Sequence, residues 1–268
     1  MGDLDSKVIL ITGATDGLGR GIAHALAKRG ATLLVHGRSA KRAEAVALDL
    51  RSMGATVRVY LADLASLAEV RHLAGEVLAN EARLHVLVNN AGIGSTVPTA
   101  ERAQSRDGIE LRFAVNYLSH YLLTRELLPL LKRSRPARIV NVSSAGQAKI
   151  DFSDPLLERG YTGVRAYCQS KLAQILHTVD LAGELDGSGV TVNALHPATF
   201  MPTKIVPNPI STLDEGVDAT VRLIADPALA HVSGKYFDGT EQRQADAQAD
   251  DPGARAKLRA LSEQLVGA

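Results

Sequence analysis

Along this chain, short runs of consecutive apolar and often β-branched residues alternate with longer stretches whose apolar positions recur at helical spacing. The runs are "KVILIT", "ATLLVHG", "TVRVYLA", "LHVLVNNAG", "RIVNVSS", "VTVNALHP" and "GKYFDG". Most are apolar at successive positions rather than at every second one, as expected of strands covered on both faces of a parallel sheet. Helical spacing places helices near 18–29, 40–53, 66–80, 108–132, 165–186 and 214–225. A last helix near 252–265 should start after Asp251, with Pro252 in a first turn that has no use for its missing N–H. Repeated strand–helix alternation predicts right-handed crossovers and an α/β fold, a doubly wound parallel sheet with helices on both faces.

No composition shift, linker or repeat divides the 268 residues, so a single domain over 1–268 is expected. Residues up to about 145 carry the features of a nucleotide-binding half. Two segments, 145–164 and 197–212, show no regular pattern, and the second holds Pro197, Pro202, Pro207 and Pro209. Both follow strands, which puts them at the carboxyl edge of the sheet as candidate substrate-pocket loops.

Composition narrows the function classes. Apolar residues make up 46% of the chain and the net charge is +1, which argues against disorder and against a basic field for nucleic acid. Cys168 is the only cysteine, so no intrachain disulfide exists, and a reducing, cytoplasmic setting is the default. The eight histidines lack ligand-like spacing, so no metal site is expected. The N-terminus carries no signal-peptide pattern and no apolar run reaches membrane length, so no anchor is expected.

After the first strand comes "TGATDGLG", with Gly13, Gly17 and Gly19 spaced Gly-x-x-x-Gly-x-Gly. A strand feeding such a turn into a helix makes a phosphate cradle, because glycines let the backbone approach a pyrophosphate and the helix end offers free N–H groups. A carboxylate at the tip of the second strand would favour NAD through its ribose hydroxyls. Here that strand ends on Arg38, with Lys41 and Arg42 following, and a guanidinium there suits the extra phosphate of NADP.

In "AYCQSKLAQIL", Tyr167 and Lys171 stand one helical turn apart on one face, the arrangement for a cation beside a phenol that exchanges a proton. Together with "NNAG" at 89–92, "VNYLSHYLL" at 115–123 and "IVNVSS" at 139–144, in this order, the chain resembles the short-chain dehydrogenase/reductase family, a Rossmann fold. "AYCQSKLAQIL" and "GSGVTVNALHP" most resemble its retinol-dehydrogenase-like branch.

The resemblance implies hydride transfer between nicotinamide and a carbonyl or alcohol. Tyr167 would be the acid or base. Lys171 would hold the cofactor ribose and lower the Tyr167 pKa from about 10. Ser144 would hydrogen-bond the substrate oxygen, and Asn116 would hold a water linking Lys171 to solvent. It also implies cofactor contacts from Gly13, Thr15, Asp16, Gly17, Leu18, Gly19, Arg38, Asp63, Leu64, Asn90, Ala91, Gly92, Tyr167, Lys171, Pro197 and Thr199, with Asp63 and Leu64 beside the adenine. Family members often pair through helices at 108–132 and 165–186, so homo-oligomerisation is left open.

Two positions depart from the family pattern. Ala198 stands where Pro-Gly is usual, and Ser144 and Tyr167 are separated by a long insertion. That insertion is expected to wall the substrate pocket, with Ile150, Phe152, Tyr161, Phe200, Met201 and Ile205 favouring a hydrophobic small molecule. Lys149 and Lys204 leave room for an anion. Three other readings remain: an NAD-dependent alcohol dehydrogenase, a non-catalytic NADP-binding sensor, and a light-dependent reductase of tetrapyrroles.

Overall fold

The computed structural model describes residues 2–203, 206 and 208–267. Two residues considered for the substrate pocket, Lys204 and Ile205, lie outside the described residues, as does Pro207.

Strands β1 (Val8–Ile11), β2 (Thr32–Gly37), β3 (Val57–Leu61), β4 (Val86–Asn89), β5 (Ala137–Val142), β6 (Val190–His196), β7 (Tyr236–Asp238) and β8 (Glu241–Arg243) form one sheet. Its order is β3-β2-β1-β4-β5-β6-β7-β8. Every pairing is parallel except β7 with β8. The helices are α1 (Gly17–Ala27), α2 (Ala40–Ser52), α3 (Leu67–Asn80), α4 (Ser119–Arg133), α5 (Gly163–Glu184), α6 (Leu213–Ala225) and α7 (Pro252–Val266).

The uninterrupted apolar strands have the cause expected of them. Ile9 and Ile11 pack into one core with Leu18 and Ile22 of α1, Leu50 of α2 and Leu223 of α6. Leu10, between them in sequence, packs into the opposite core with Leu73 of α3, Leu127 of α4, Leu176 of α5 and Leu258 of α7. Alternate side chains of one strand therefore serve two apolar layers, and neither face tolerates a polar stripe.

Local signals fix the helix ends. Side chains of Ser39, Ser66, Thr162 and Thr212 accept from backbone N–H groups of the first turns of α2, α3, α5 and α6. Asp251 does the same for α7, accepting from Gly253 N at 2.8 Å. Such caps satisfy donors that the helix itself leaves unpaired.

The fourth expected helix differs most. Gly108, with φ of 78°, and an isolated bridge between Gln104 and Glu110 form a turn where helix had been expected. Glu110 then accepts from Phe113 N at 2.7 Å, and Phe113–Leu118 makes a π-helical turn before α4 begins. Strand β8 was not foreseen, because three exposed polar residues give no apolar alternation.

Chain order reverses between β1 and β4, the switch point at which open α/β sheets leave a crevice beyond their carboxyl ends. The segments after β1, β2, β3, β4, β5 and β6 carry Gly13, Arg38, Asp63, Asn90, Ser144 and Pro197 in turn. All six expected site segments thus meet on one edge.

Candidate active site

The glycine turn is built on close approach. Gly13 and Gly17 have φ of 65° and 47°, left-handed values that strain any residue with a side chain. Gly19 is tighter still. A β-carbon there would run into the Gly13 carbonyl and come within 2.5 Å of Asn90 Nδ2. The Asn90 amide donates to Thr12 O at 2.8 Å, while Thr12 Oγ1 accepts from Asn90 N at 2.9 Å and Ala91 N at 3.0 Å. The turn after β1 and the turn after β4 are therefore one unit. Asp16 caps α1 by accepting from Gly17 N at 2.9 Å, and the first turn of α1 carries no acidic residue. Buried Leu18 anchors the helix in the core, and Thr15 packs so close to Gly37 that a β-carbon there would clash. A glycine cradle facing a helix whose first turn carries no acidic side chain fits a dinucleotide pyrophosphate, with Asp16 at the cap as the one carboxylate beside it.

Gly19→Ala is expected to weaken dinucleotide binding at least about 10-fold and to cost roughly 1–3 kcal/mol of stability, since backbone must move to admit the methyl. Fluorescence titration and thermal melts read both, and an unchanged affinity would show that the turn does not hold phosphate.

Beyond β2, Arg38 is 63% exposed, with Nη1 3.9 Å from Asp63 Oδ1. At that distance the pair is loose, and the guanidinium remains open to an incoming anion. Asp63 also closes its own turn by accepting from Ala65 N at 3.1 Å, and Leu64 is buried in the core. Arg106, not singled out in the sequence, reaches the same carboxylate at 3.9 Å and pairs with Glu69 at 2.5 Å.

On the other side of the switch point, α5 brings Tyr167 and Lys171 against the end of β5. Ser144 and Tyr167 come together around Gly146, where an added β-carbon would lie 3.5 Å from Ser144 Oγ and 3.8 Å from the Tyr167 ring, and Ser144 Oγ accepts from Gly146 N at 3.0 Å. Lys171 is buried, donating from Nζ to Val142 O at 2.9 Å and to Gln174 Oε1 at 3.1 Å. Its Nζ lies 5.8 Å from the centre of the Tyr167 ring. Burial brings Lys171 down to about 7. The same burial pushes the Tyr167 phenol up, and the neighbouring Ser144 hydroxyl works against that rise. This reverses the direction expected from the sequence. Lys171 is turned towards Val142 and Gln174, and desolvation governs the phenol.

Asn116 sits in the π-helical turn, completely buried. Its Oδ1 accepts from Ile93 N at 2.8 Å, and its Nδ2 donates to Ile93 O at 3.1 Å and Ser170 Oγ at 3.0 Å. Its side chain clamps the segment after Gly92 to α5. A β-carbon on Gly92 would sit 3.3 Å from Asn116 Oδ1 and 3.6 Å from Lys171 Nζ, so the floor of the crevice lies directly over both.

The sequence profile of the short chain dehydrogenases matches residues 7–212. The chain belongs to that family. Within it, human retinol dehydrogenase 13 is 38% identical over 98% of this chain and 86% of its own length, which places the chain in the retinol-dehydrogenase-like branch. A solved structure of an uncharacterized protein from Mycobacterium paratuberculosis aligns with TM-score 0.84 and 31% identity, over 100% of this chain and 96% of that one. Two further structures align over 88% of this chain. Pseudomonas aeruginosa RhlG in an NADP complex gives TM-score 0.71, 29% identity and 95% of its length. Brucella melitensis 3-ketoacyl-(acyl-carrier-protein) reductase in an NADH complex gives 0.70, 27% and 97%.

The short-chain dehydrogenase framework makes the remaining differences specific. Ala198, in place of the usual glycine, needs no left-handed backbone; in that loop the positive φ, 49°, falls on Phe200. Pro197 is buried, while exposed Thr199 accepts or donates to His196 Nε2 at 3.0 Å. Three expected wall residues point elsewhere. Ile150 is buried in the core, its N–H held by Gln248 Oε1 at 2.7 Å. Phe152 lies beneath Lys257 of α7, and the Tyr161 hydroxyl turns inward to Arg112. The insertion packs against α7 because Ile150 and Phe152 find apolar partners there. Sequence reasoning missed Thr12 and Gln174, which reach the site through hydrogen bonds to Asn90, Ala91 and Lys171 that leave no pattern in the sequence.

Proposed function

We propose that this short-chain dehydrogenase reduces the carbonyl of a hydrophobic aldehyde or ketone at the expense of NADPH, with Tyr167 as the proton donor. The observation that carries this reading is the juxtaposition of Ser144 and Tyr167 at the carboxyl edge, beside Lys171 and across the crevice from the glycine turn. The dinucleotide supplies and accepts hydride when bound. Gly13, Gly17 and Gly19 would receive its pyrophosphate, with Thr15, Asp16 and Leu18 shaping the turn. Asn90, Ala91 and Gly92 would line its floor, Asp63 and Leu64 would flank its adenine, and Pro197 and Thr199 would close the nicotinamide end.

The protein groups then have separate tasks. Ser144 donates a hydrogen bond to the substrate oxygen and strengthens it as negative charge grows. Tyr167 delivers its proton to that oxygen, and its raised pKa keeps the proton in place until the alkoxide forms. Lys171, held here by Val142 and Gln174, would reach the ribose hydroxyls of a bound dinucleotide, where a cation next to the phenol would favour proton release. Asn116 fixes the floor through Ile93 and keeps α5 in register.

Arg38 supports NADP over NAD, since it ends β2 where a ribose-binding carboxylate would stand. Arg38→Ala is expected to weaken NADPH binding about 10–100-fold, the worth of a charge-assisted contact, and to leave NADH within about 3-fold. Equal binding of both cofactors by the wild type, or an NADH preference, would transfer the reading to NAD-dependent alcohol oxidation. A cytoplasmic site of action is part of the proposal and rests on a lone, partly buried Cys168 suited to a reducing compartment.

A further inference from the structure

Arg112 stands immediately before the π-helical turn that carries Asn116, and its side chain is 0% exposed. A guanidinium taken fully out of water needs partners for its nitrogens, and here each of the three has at least one. Nε donates to Gly94 O at 2.9 Å, Nη2 donates to Ser95 O at 2.7 Å and to Thr99 O, and Nη1 donates to the Tyr161 hydroxyl at 2.5 Å. The Tyr161 hydroxyl in turn donates to Glu110 Oε1 at 3.2 Å. Glu110, also buried, supplies the counter-charge 3.8 Å from Arg112. Cation, phenol and carboxylate close into one network in which each buried polar group is engaged.

What this network joins gives it a purpose. Gly94–Thr99 leaves the crevice floor just past Ile93, which Asn116 holds. Tyr161 ends the insertion and stands two residues before α5, the helix that presents Tyr167. The two stretches touch again where a β-carbon on Gly163 would overlap the Ser95 carbonyl. Arg102 adds a parallel tie, donating to Leu156 O at 3.2 Å and Leu157 O at 3.0 Å. One buried arginine thus holds both sides of the crevice mouth beside Tyr167.

We propose that Arg112, acting through Tyr161, is a positioning residue that sets the separation of the 94–99 loop and the 154–162 insertion, and so decides which substrates fit. The proposal rests on the carbonyl-reductase reading for its consequence in catalysis, but the strap itself stands on the contacts above. Tyr161 is then a strut and not a wall. Its ring need never touch substrate for its hydroxyl to matter.

The test uses Tyr161→Phe, which deletes one hydroxyl and leaves the three carbonyl contacts of Arg112, alongside Arg112→Gln. NADPH affinity, KM and kcat over aldehydes of increasing chain length, and hydrogen exchange in 94–99 and 154–162 are measured for each. For Tyr161→Phe the expected result is faster exchange in both segments and KM for the longer aldehydes raised about 10-fold, with kcat and NADPH affinity within about 3-fold. Arg112→Gln should move the same quantities further in the same direction. Unchanged KM across the series, or KM, kcat and NADPH affinity falling together, would overturn the proposal. Wild-type protein inactive on every carbonyl would instead remove the reductase reading, and unaltered exchange in Tyr161→Phe would still remove the strap.

Discussion

Turnover by the Tyr167→Phe protein should fall about 10²–10⁴-fold, the usual worth of a positioned proton donor, while dinucleotide binding stays within a few-fold. Phenylalanine fills the same space on α5, so the loss isolates one hydroxyl. Ser144 Oγ would remain, and a hydrogen bond from it can polarise a carbonyl without completing its protonation. The pH dependence carries the same assignment. Burial raises the Tyr167 pKa, which favours the protonated form. Reduction, which needs that form, should therefore hold steady through neutral pH and decline only on the alkaline side. Oxidation of the matching alcohol needs the deprotonated form and should quicken as pH rises. Steady-state rates in both directions across pH provide the check. A Phe variant with wild-type turnover would remove Tyr167 from the mechanism.

Lys171→Met should abolish turnover and yet stabilise the protein near neutral pH. The ammonium is buried, and burial lowers its pKa from 10.5 to about 7. Between those two values the unfolded chain holds a proton that the folded chain has shed, so stability rises with pH across that window. Below about 7 both states are protonated and the penalty of the buried charge is complete. Methionine removes that penalty, although Val142 O and Gln174 Oε1 lose a donor and take back part of the gain. A net stabilisation of about 2 kcal/mol, or roughly 4–8 °C in Tm, is expected at pH 6–7 and should shrink towards pH 10. Thermal melts of the two proteins over that range decide the matter. A variant less stable than wild type at pH 7, or a difference indifferent to pH, would mean that burial does not strain this lysine.

The part of this molecule that could be read in advance is the part built from contacts near in sequence or repeated along it. Strands β1, β2, β4, β5 and β6 announce themselves because both faces are buried, β3 at the sheet edge does so by its β-branched and aromatic run, and helix starts show in caps such as Ser66 and Asp251. Tyr167 and Lys171 were legible because one helical turn separates them. The reach of each side chain was not. Lys171 has two acceptors, on Val142 and Gln174, and neither position carries a pattern that points to it. The π-helical turn at Asn116 shifts the hydrogen-bond ladder without altering residue type. Ile150 and Phe152 were apolar residues in a loop, and only the position of α7 shows that they serve the core. Arg112 is harder still, because a buried arginine in sequence looks the same as an exposed one.

Met201 and Thr203, in the loop that follows Pro197, lie against the glycine turn and its helix. Thr203 comes so close that a β-carbon on Gly17 would be 3.3 Å from its methyl, and Met201 packs onto α6 beside Gly216. A dinucleotide bound as proposed at the N-terminus of α1 would meet Thr203 there and would have to displace it if the two overlap. In that case the measured affinity would contain the fraction of molecules in which that contact is already open, multiplied into the intrinsic affinity of the cradle. Substitutions at Thr203 or Met201 would tighten or loosen cofactor binding without adding or deleting a single bond to it, and the bare glycine turn would bind more strongly than the whole protein reveals.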